Sequence, residues 1–382
     1  MTQAGLDAGV EGTAEPAAAP DARDPMGAAS AADVDVFLSG TVFLDIVFTG
    51  MLGPPSGGRE VWTDGMGSSP GGVANLAVAC SRLALRTSLA AAFGGDVYGD
   101  YCWRLLSESE NIDLSHSQRF EGWHTPVTVS LAFDEDRAMV THGHPAPREM
   151  DDLLSDIPTS RLCFFDAGLP RPGWLDHAIE AGSLVFADVG WDDTSSWNFD
   201  ELRERLSGVY AFVPNATEAM AYTRTESPGA ALGKLCDLVP LAVVTAGNGG
   251  AFAADAETGE TAWVPAVPVD VLDPTGAGDV FLSALMVGTA QDWPLQQRLK
   301  FANLCAGLSV RDFGGALAAP GWGAVAAWWA DNRDNNRLSR DFAFLDEVIP
   351  PGTPREVSRA DATIGLRQLP PLPPQPHPRK PQ

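Results

Sequence analysis

The chain has 382 residues, of which 45% are apolar, so it can form one large domain or two ordinary ones. Its 25 lysine and arginine residues stand against 50 aspartate and glutamate residues, a formal net charge of −25. Such a surface repels nucleic-acid backbones and anionic lipid, so we expect neither nucleic acid nor membrane as a partner. The only lysines are Lys234, Lys300 and Lys380, so backbone amides, arginine or a metal must neutralise any bound phosphate.

Cysteine usage and the absence of targeting signals favour a cytoplasmic protein. The five cysteines are scattered and form no CxxC pair, so neither a disulfide framework nor a zinc site is indicated. No apolar run approaches the roughly 18 residues of a membrane span. The first residues also lack the basic and apolar order of a secretory signal.

The two ends of the chain differ in composition from its middle. Residues 1–33 are mostly Ala, Gly, Pro and Asp, which predicts a disordered N-terminal tail. Residues 331–382 form a C-terminal extension that ends in RQLPPLPPQPHPRKPQ, a proline-rich stretch expected to be extended. That stretch is either a solvated tail or a ligand for a partner's proline-binding groove. Residues 34–330 remain as the folded domain.

Within this domain, strand-like and helix-like runs alternate in chain order. The predicted strands are VDVFLSG (34–40), SLAAAFG (88–94), RLCFFDAG (161–168), SLVFADV (183–189), VYAFVPN (209–215) and LAVVTAG (241–247). The predicted helices include residues 75–85, 99–109, 173–182 and 199–208. The strands are apolar at consecutive positions, which is typical of strands covered on both faces. The order therefore predicts an α/β fold with three αβα layers and a mostly parallel central sheet.

Two segments depart from this alternation. Residues 58–68 and 124–142 have the pattern of exposed β ribbons, and TVSLAF, DED and RAMVTH together predict a hairpin. A small accessory sheet over one edge of the core accounts for both segments.

The stretch LDPTGAGDVF (272–281) carries the strongest local chemical signal. Gly276, Ala277 and Gly278 let the backbone approach a ligand closely, and the helix that follows directs free N–H groups toward it. This arrangement suits a phosphate. Asp279 opposes an anion by its charge, but it fits a hydroxyl that attacks the phosphate. A flexible turn with a capping aspartate explains the same four residues equally well.

Two other phosphate-binding motifs are poorly supported. GAALGKL (229–235) has Pro228 where a P-loop needs glycine and Leu235 where it needs Ser or Thr. GAGDVF places Phe281 where the dinucleotide fingerprint GxGxxG needs glycine.

DPTGAGDVFLSAL (273–285) resembles the C-terminal signature of the ribokinase-like, or PfkB, carbohydrate kinase family. Further pieces follow the family's order, and six in register make chance a poor explanation. They are SGTVFLDIVF (39–48), PGGVANLAVACSRLAL (70–85), FGGDVYGDY (93–101), PNATEA (214–219), VVTAGNGGAF (243–252) and FANLCAGLSVRDFGGALAAP (301–320).

The resemblance implies an ATP-dependent kinase that transfers the γ-phosphate to a sugar hydroxyl. Asp279 aligns with the catalytic base, and the amides of Gly276, Ala277 and Gly278 would form the anion hole. The substrate-binding residues would be Asp45, Gly71, Gly72 and Asn75. From the residues alone, Asp45 just past the first strand also fits an exposed loop, and the others fit a turn and helix cap.

The resemblance also implies a nucleotide site with magnesium. The nucleotide-binding residues would be Asn215, Thr245, Gly247, Gly250 and Asn303. Glu218 would organise Mg²⁺ through water, although Asn215 and Glu218 also read as a helix start. Asp273 and Thr275 match a monovalent-cation (K⁺) site in many relatives and equally fit a turn. Lid segments near 50–68 and 124–142 would cover the substrate and could pair in a homodimer.

Several departures from the family pattern leave the substrate open. Val73 stands alone between the Gly pair and Ala-Asn, where the family often has two residues. Phe43 occupies a position that is polar in sugar-specific relatives, and ADVGWDDTSSW lacks the common Asp-x-Asn. Phe43 and Trp191 would suit a flat ligand, so a nucleoside kinase is the alternative. A binding protein without catalysis is a third hypothesis, which the intact Asp279 opposes.

Overall fold

The computed structural model describes residues 32–353, except 134–135, 149, 155–156, 191–195 and 336. The predicted N-terminal tail up to residue 31, the proline-rich end and Trp191 lie outside the described residues. The division of the chain into two tails and one domain stays a prediction, and helix α10 (Trp322–Asn332) spans its boundary at residue 330.

Fourteen strands are found among the described residues, and most of the predicted ones are confirmed. They are β1 (Val34–Ser39), β2 (Val42–Met51), β3 (Gly65–Gly72), β4 (Thr87–Ala90), β5 (Ala92–Gly94), β6 (Gln118–Phe120), β7 (Val127–Phe133), β8 (Asp136–His142), β9 (Ser160–Asp166), β10 (Leu184–Asp188), β11 (Ala211–Phe212), β12 (Leu241–Thr245), β13 (Ala251–Asp255) and β14 (Glu260–Val264).

Twelve α-helices lie between or after these strands in the described part of the chain. They are α1 (Val73–Arg82), α2 (Val97–Arg104), α3 (Met150–Leu153), α4 (Trp174–Glu180), α5 (Phe199–Arg205), α6 (Ala216–Thr223), α7 (Pro228–Leu235), α8 (Ala277–Ala290), α9 (Leu295–Ser309), α10 (Trp322–Asn332), α11 (Leu338–Phe342) and α12 (Leu345–Val348). A π-helical turn (Leu105–Ser109) continues α2. None of the described helices combines the length and apolar character that crossing a membrane requires.

The main sheet has eight strands in the order β14-β13-β12-β11-β10-β9-β1-β4. The pairs from β4 to β12 are parallel, whereas β13 and β14 pair antiparallel at one edge. Chain order reverses beside β1, because β4 and β9 lie on its two sides. In open sheets of this kind, ligands bind at the carboxyl ends of the strands near such a reversal.

Both faces of this sheet are covered, as the consecutive apolar runs predict. In β1, Val36 and Leu38 belong to one buried cluster together with α1, α8 and α9. Phe37 belongs to a second cluster on the opposite face, together with α4 to α7. The three-layer αβα prediction is confirmed.

A second, four-stranded sheet forms the predicted lid, in the order β3-β2-β7-β8. The hairpin predicted within 124–142 is confirmed as β7 and β8. The ribbon predicted at 58–68 is wrong over most of its length, because the strand begins only at Gly65. Residues 52–64 contain Pro54, Pro55 and several glycines, which interrupt a ladder of backbone hydrogen bonds.

A buried ion pair joins α1 to the end of the π-helical turn that continues α2, and the same arginine also binds the segment that follows α9. The side chains of Arg82 and Glu110 are 6% and 5% exposed and meet at 2.7 Å. Arg82 Nη1 also donates to the carbonyls of Leu317 and Ala319, both at 2.8 Å. The guanidinium therefore fixes the 3₁₀ turn Gly315–Ala318 against α1.

We expect Arg82→Ala to lower the free energy of unfolding by about 3–5 kcal/mol, because it leaves a buried carboxylate and two carbonyls unpaired. Urea titration followed by circular dichroism measures this loss. Arg203→Ala is the matched control, since its pair with Asp200 is 57% and 87% exposed and should contribute under about 1 kcal/mol. Equal losses in the two variants would contradict the assignment.

Candidate active site

The GAGD turn begins α8, as the sequence predicts. Gly276 precedes the helix with φ 74°, and a Cβ there would lie 3.2 Å from Gly315 Cα. This left-handed conformation and the close approach both require glycine at position 276. Ala277, Gly278 and Asp279 form the first turn of α8, whose amides have no partners within the helix. The turn therefore presents backbone donors at the positive end of the helix dipole.

Asp279 contacts Asn75 across the interface between α8 and α1. Asn75 Nδ2 donates to Asp279 Oδ2 at 3.1 Å. Asn75 is 5% exposed, and its Oδ1 has no hydrogen-bond partner in the described structure. Although the chain has one residue where the family often has two between the Gly pair and Ala-Asn, Asn75 lies beside Asp279, the predicted base. Its Oδ1 can accept a hydrogen bond from a ligand.

Asp45 lies in the middle of lid strand β2, so the loop interpretation is wrong. It is 8% exposed and pairs in register with Ser69 of β3 and Thr128 of β7. A Cβ on Gly71 would overlap the Asp45 carboxylate, so the glycine pair makes room for this side chain. Phe43 is two residues earlier in β2 and therefore on the same face as Asp45.

Four acidic side chains cluster where the parallel strands end. Asp166 ends β9 and faces Asp188 at the end of β10 in register. Glu218 lies at the start of α6, and the charges of Glu218, Asp279 and Asp166 all act on Asp188. Sequence reasoning missed Asp166 and Asp188, although each is a lone carboxylate that closes an apolar predicted strand.

Burial and mutual repulsion raise the pKa values in this cluster. Burial raises the pKa of Asp188 well above its usual range, and the neighbouring carboxylates raise it further. Burial also raises the pKa of Glu218, whereas the hydrogen bonds with Asn215 lower it. Burial raises the pKa of Asp166, and the hydrogen bond from the Gly168 N–H and the charge of Arg205 offset only part of this rise. The cluster thus holds more negative charge than its surroundings neutralise.

This charge surplus and its oxygen donors fit a hard cation such as Mg²⁺. Within the described residues, however, no three His, Cys, Asp or Glu side chains come together closely enough to hold a metal directly. Glu218 and Asn215 form a reciprocal helix cap, with both hydrogen bonds at 3.0 Å, so one Glu218 oxygen is already engaged. A role of Glu218 through bound water is the one that fits.

The predicted nucleotide residues lie at the neighbouring strand ends. Asn215 forms an isolated bridge with Thr245, which ends β12, and Gly247–Gly249 form a 3₁₀ turn just beyond. Trp263 Nε1 donates to Gly249 O at 3.0 Å and supports that turn. Gly250 has φ 83° and lies so close to Val264 O that a Cβ would overlap it.

Asn303 supports the same region from α9. Its Nδ2 donates to the carbonyls of Val264 and Pro265 at 3.0 and 3.2 Å. The amide therefore holds the segment after β14 in place, and only its oxygen remains for an adenine. A nucleotide contact of Asn303 stays a prediction.

Asp273 braces the turn that precedes α8. It is 2% exposed, and its two oxygens accept from the backbone N–H groups of Thr275 (3.0 Å) and Gly314 (3.1 Å). The turn interpretation of Asp273 and Thr275 is therefore observed directly. The monovalent-cation site stays a prediction.

Comparison with known proteins assigns the chain to a family. A model of the pfkB family carbohydrate kinases matches residues 61–321. The chain therefore belongs to the pfkB family of carbohydrate kinases, which are phosphotransferases with an alcohol group as acceptor. The resemblance identified from the motifs is confirmed.

Relatives and solved structures agree with this assignment. The chain is 25% identical over 312 residues to a ribokinase of Schizosaccharomyces pombe, covering 75% of this chain and 95% of that protein. It is 28% identical over 262 residues to a nucleoside kinase of Methanothermobacter thermautotrophicus, covering 66% and 82%. A putative ribokinase II from E. coli, solved with ATP and Mg²⁺, has the same fold with a TM-score of 0.63 at 20% identity, covering 78% and 99%.

We expect Asp188→Asn to raise the melting temperature by about 2–4 °C at neutral pH without Mg²⁺, the shift that roughly 1 kcal/mol produces in a large domain. The reason is that the folded state holds this carboxylate at a raised pKa. The stability cost is absent below the ordinary carboxyl pKa near about 4, grows as pH rises and is complete above the raised pKa.

Thermal scans from pH 4 to pH 8 test this expectation. The gain of Asp188→Asn over the wild type should shrink toward the acidic end of this range. Asp237→Asn is the control, because Asp237 is exposed at the end of α7 and should change little. A destabilised Asp188→Asn protein at pH 7 would refute the charge surplus.

Proposed function

We propose that this protein is an ATP-dependent sugar kinase that transfers the γ-phosphate of ATP to a hydroxyl of a carbohydrate. One observation carries the proposal: Asp279 stands at the start of α8 beside the glycine turn and is hydrogen-bonded to Asn75. A carboxylate and several backbone amides thus lie within one helical turn, which supports binding of the acceptor hydroxyl by the first and of the phosphate by the second. The relatives named above include a ribokinase and a structure with ATP and Mg²⁺.

In this proposal Asp279 orients the attacking hydroxyl and accepts its proton. An aspartate is ordinarily a weak base toward an alcohol. It therefore takes the proton late, when bonding to phosphorus has made the hydroxyl oxygen acidic. This order fits a loose phosphoryl-transfer transition state, in which positioning and charge neutralisation dominate.

The amides of Gly276, Ala277 and Gly278 stabilise the charge on the transferring phosphoryl group. Mg²⁺ would be held near Glu218 and Asn215 through water and would neutralise phosphate charge, which matters in a chain with three lysines. Thr245, Gly247, Gly250 and Asn303 bind the nucleotide, at the turn that Trp263 supports.

Asp45, Gly71, Gly72 and Asn75 bind the acceptor. The Asp45 carboxylate is buried in the lid sheet, where it accepts hydrogen bonds from sugar hydroxyls. The unpartnered Asn75 Oδ1 accepts from a further hydroxyl. Closure of the lid excludes water, which would otherwise compete for the phosphoryl group.

A nucleoside kinase is the second candidate. Phe43 shares a strand face with Asp45, so an aromatic ring lies on the same side of β2 as the Asp45 carboxylate that is proposed to bind the acceptor. A flat base could stack there. The identity to a nucleoside kinase is 28% over 262 residues, against 25% over 312 residues for the ribokinase, so the identities do not separate the two classes.

We expect Asp279→Asn to lower kcat by about 10²–10⁴-fold, the range for loss of a general base. Binding of ATP should survive, because the amides of the turn are unchanged. Coupled-enzyme kinetics and isothermal titration calorimetry measure the two quantities. Asp292→Asn is the matched control at the opposite end of α8, and unchanged turnover in Asp279→Asn would sink the assignment.

A ligand panel separates the two substrate classes. A ligand at 100 times its Kd stabilises the folded state by about 2.7 kcal/mol, which a thermal-shift assay resolves. We expect pentoses or hexoses to raise the melting temperature and nucleosides to leave it unchanged. The opposite result would replace the sugar proposal by the nucleoside kinase, and ATP consumption with each ligand provides the independent check.

Two expectations extend the proposal. A K⁺ site at Asp273 and Thr275 predicts higher activity in potassium chloride than in tetramethylammonium chloride, and equal activity would exclude it. A homodimer through the lid is supported by edge strand β8, where Met139 and Val140 are 56% and 64% exposed. A protein that sediments as a monomer at all concentrations in sedimentation velocity would contradict the expected dimer.

A further inference from the structure

A groove lies between the segment that follows β14 and the helices α9, α10 and α11. Its volume is about 510 Å³, within the range of ligand-binding pockets. We call it the C-terminal groove, and its apolar lining consists of Trp263, Pro265, Pro268, Trp328, Leu338 and Phe342. Trp263 is 57% exposed, and Trp328 packs edge-on against Phe342 with 5.0 Å between ring centroids. An aromatic and proline-rich lining is thus open to an occupant.

This groove shares a wall with the nucleotide region. Trp263 lines the groove and also donates to Gly249 O in the 3₁₀ turn. Val264 and Pro265 line it too, and their carbonyls accept from Asn303. An occupant that holds these residues therefore also holds the turn that would bind ATP.

The described part of the chain ends close in sequence to a helix that is attached to α10, one of the helices that line the groove. Helix α12 is attached to α10, because Asp346 Oδ1 accepts from Trp329 Nε1 at 2.8 Å and pairs with Arg333 at 3.3 Å. The described chain ends at Thr353, soon after α12, and residues 354–382 follow. Because α10 and α11 form one side of the groove, the last described helix is attached to an element that lines it. The residues 354–365 between Thr353 and residue 366 span up to about 40 Å when extended, which is enough to reach the groove.

Residues 366–376 read LRQLPPLPPQP and have the composition that fits such a groove. Proline-rich segments adopt the polyproline II conformation, and aromatic-lined grooves recognise it at a low cost in entropy. A pair of tryptophans with adjacent prolines is a lining of this kind.

Charge favours the same contact. Residues 354–382 contain five basic residues (Arg355, Arg359, Arg367, Arg379, Lys380) and two acidic ones (Glu356, Asp361), so they are positively charged. Subtracting them from the 25 basic and 50 acidic residues leaves 20 and 48 for the rest of the chain. The charged residues that line the groove are Lys300, Arg337 and Asp341, so the attraction comes from the net charge of 20 − 48 = −28 on residues 1–353 and not from the lining itself.

We propose that residues 366–376 dock in the C-terminal groove of the same molecule and stabilise the wall that supports the nucleotide turn. Docking itself does not depend on the proposed function. Only its consequence, tighter binding of ATP, rests on the kinase assignment.

The test uses the full chain in three variants. In the tail variant, Pro370, Pro371, Pro373 and Pro374 are changed to Ser. In the groove variant, Trp328→Leu keeps an apolar contact with Phe342 but removes the indole. Trp62→Leu is the matched control for cleavage and hydrogen exchange, because Trp62 is 83% exposed between β2 and β3 and does not line the groove.

We expect trypsin to cleave after Arg367 at least about fivefold faster in the groove variant than in the wild type or the control, the factor that about 1 kcal/mol gives. Hydrogen exchange of amides in residues 263–268 and 326–342 should be faster in the tail variant than in the wild type. The tail variant keeps the test valid should Trp328→Leu be unstable. KM for ATP should rise in both variants.

Equal cleavage rates in all proteins, with equal exchange in the groove, would overturn the proposal. Protection that disappears on dilution would overturn it too, since a second copy's tail would then occupy the groove. Docking with an unchanged KM for ATP would contradict the proposed effect on ATP binding, while the docking of residues 366–376 would be confirmed. Absence of any ATP turnover would count against the kinase, and the cleavage and exchange results would still decide the docking.

Discussion

The buried Arg82 guanidinium connects the elements that build the site. It pairs with Glu110 and holds the carbonyls of Leu317 and Ala319, which fixes the Gly315–Ala318 turn on α1. Gly315 in turn packs against Gly276, where no side chain fits between the two backbones. The start of α8 and the start of α1 are therefore set relative to each other. The distance between Asn75 and Asp279 follows from this packing rather than from either helix alone.

The cluster formed by Asp166, Asp188, Glu218 and Asp279 is acidic, although the anionic nucleotide and the acceptor are both proposed to bind there. Asp166 and Asp188 face each other, and Glu218 and Asp279 add to the charge on Asp188. An anionic nucleotide cannot approach such a cluster unless a cation accompanies it. The glycine turn and the helix end supply positive potential without a lysine. In the proposed mechanism, backbone dipoles bind the phosphate, and the carboxylates are left for the cation and the hydroxyl.

Much of this architecture is readable from the sequence. The GAGD turn depends on local chemistry, so its helix start and Asp279 are predictable, and consecutive apolar runs predict a sheet covered on both faces. Asp166 and Asp188 were missed because their meaning depends on strand pairing, which brings residues 22 positions apart into register. The lid strand β2 and the buried state of Asp45 likewise depend on neighbouring strands. The donors of Asn303 were unpredictable because their partners come from a distant loop.

In the proposed kinase, Asn75 links acceptor recognition to catalysis. Its Nδ2 is bonded to Asp279, while its buried Oδ1 has no partner in the described structure. An unsatisfied buried acceptor costs about 1–3 kcal/mol, and an acceptor hydroxyl that donates to it recovers that cost. The same amide group then holds the hydroxyl and the base at once. Because the side-chain amide of Asn75 is planar and rigid, fixing its Oδ1 also fixes its Nδ2. A ligand without a donor for Oδ1 therefore leaves both the acceptor hydroxyl and the Asp279 carboxylate unpositioned.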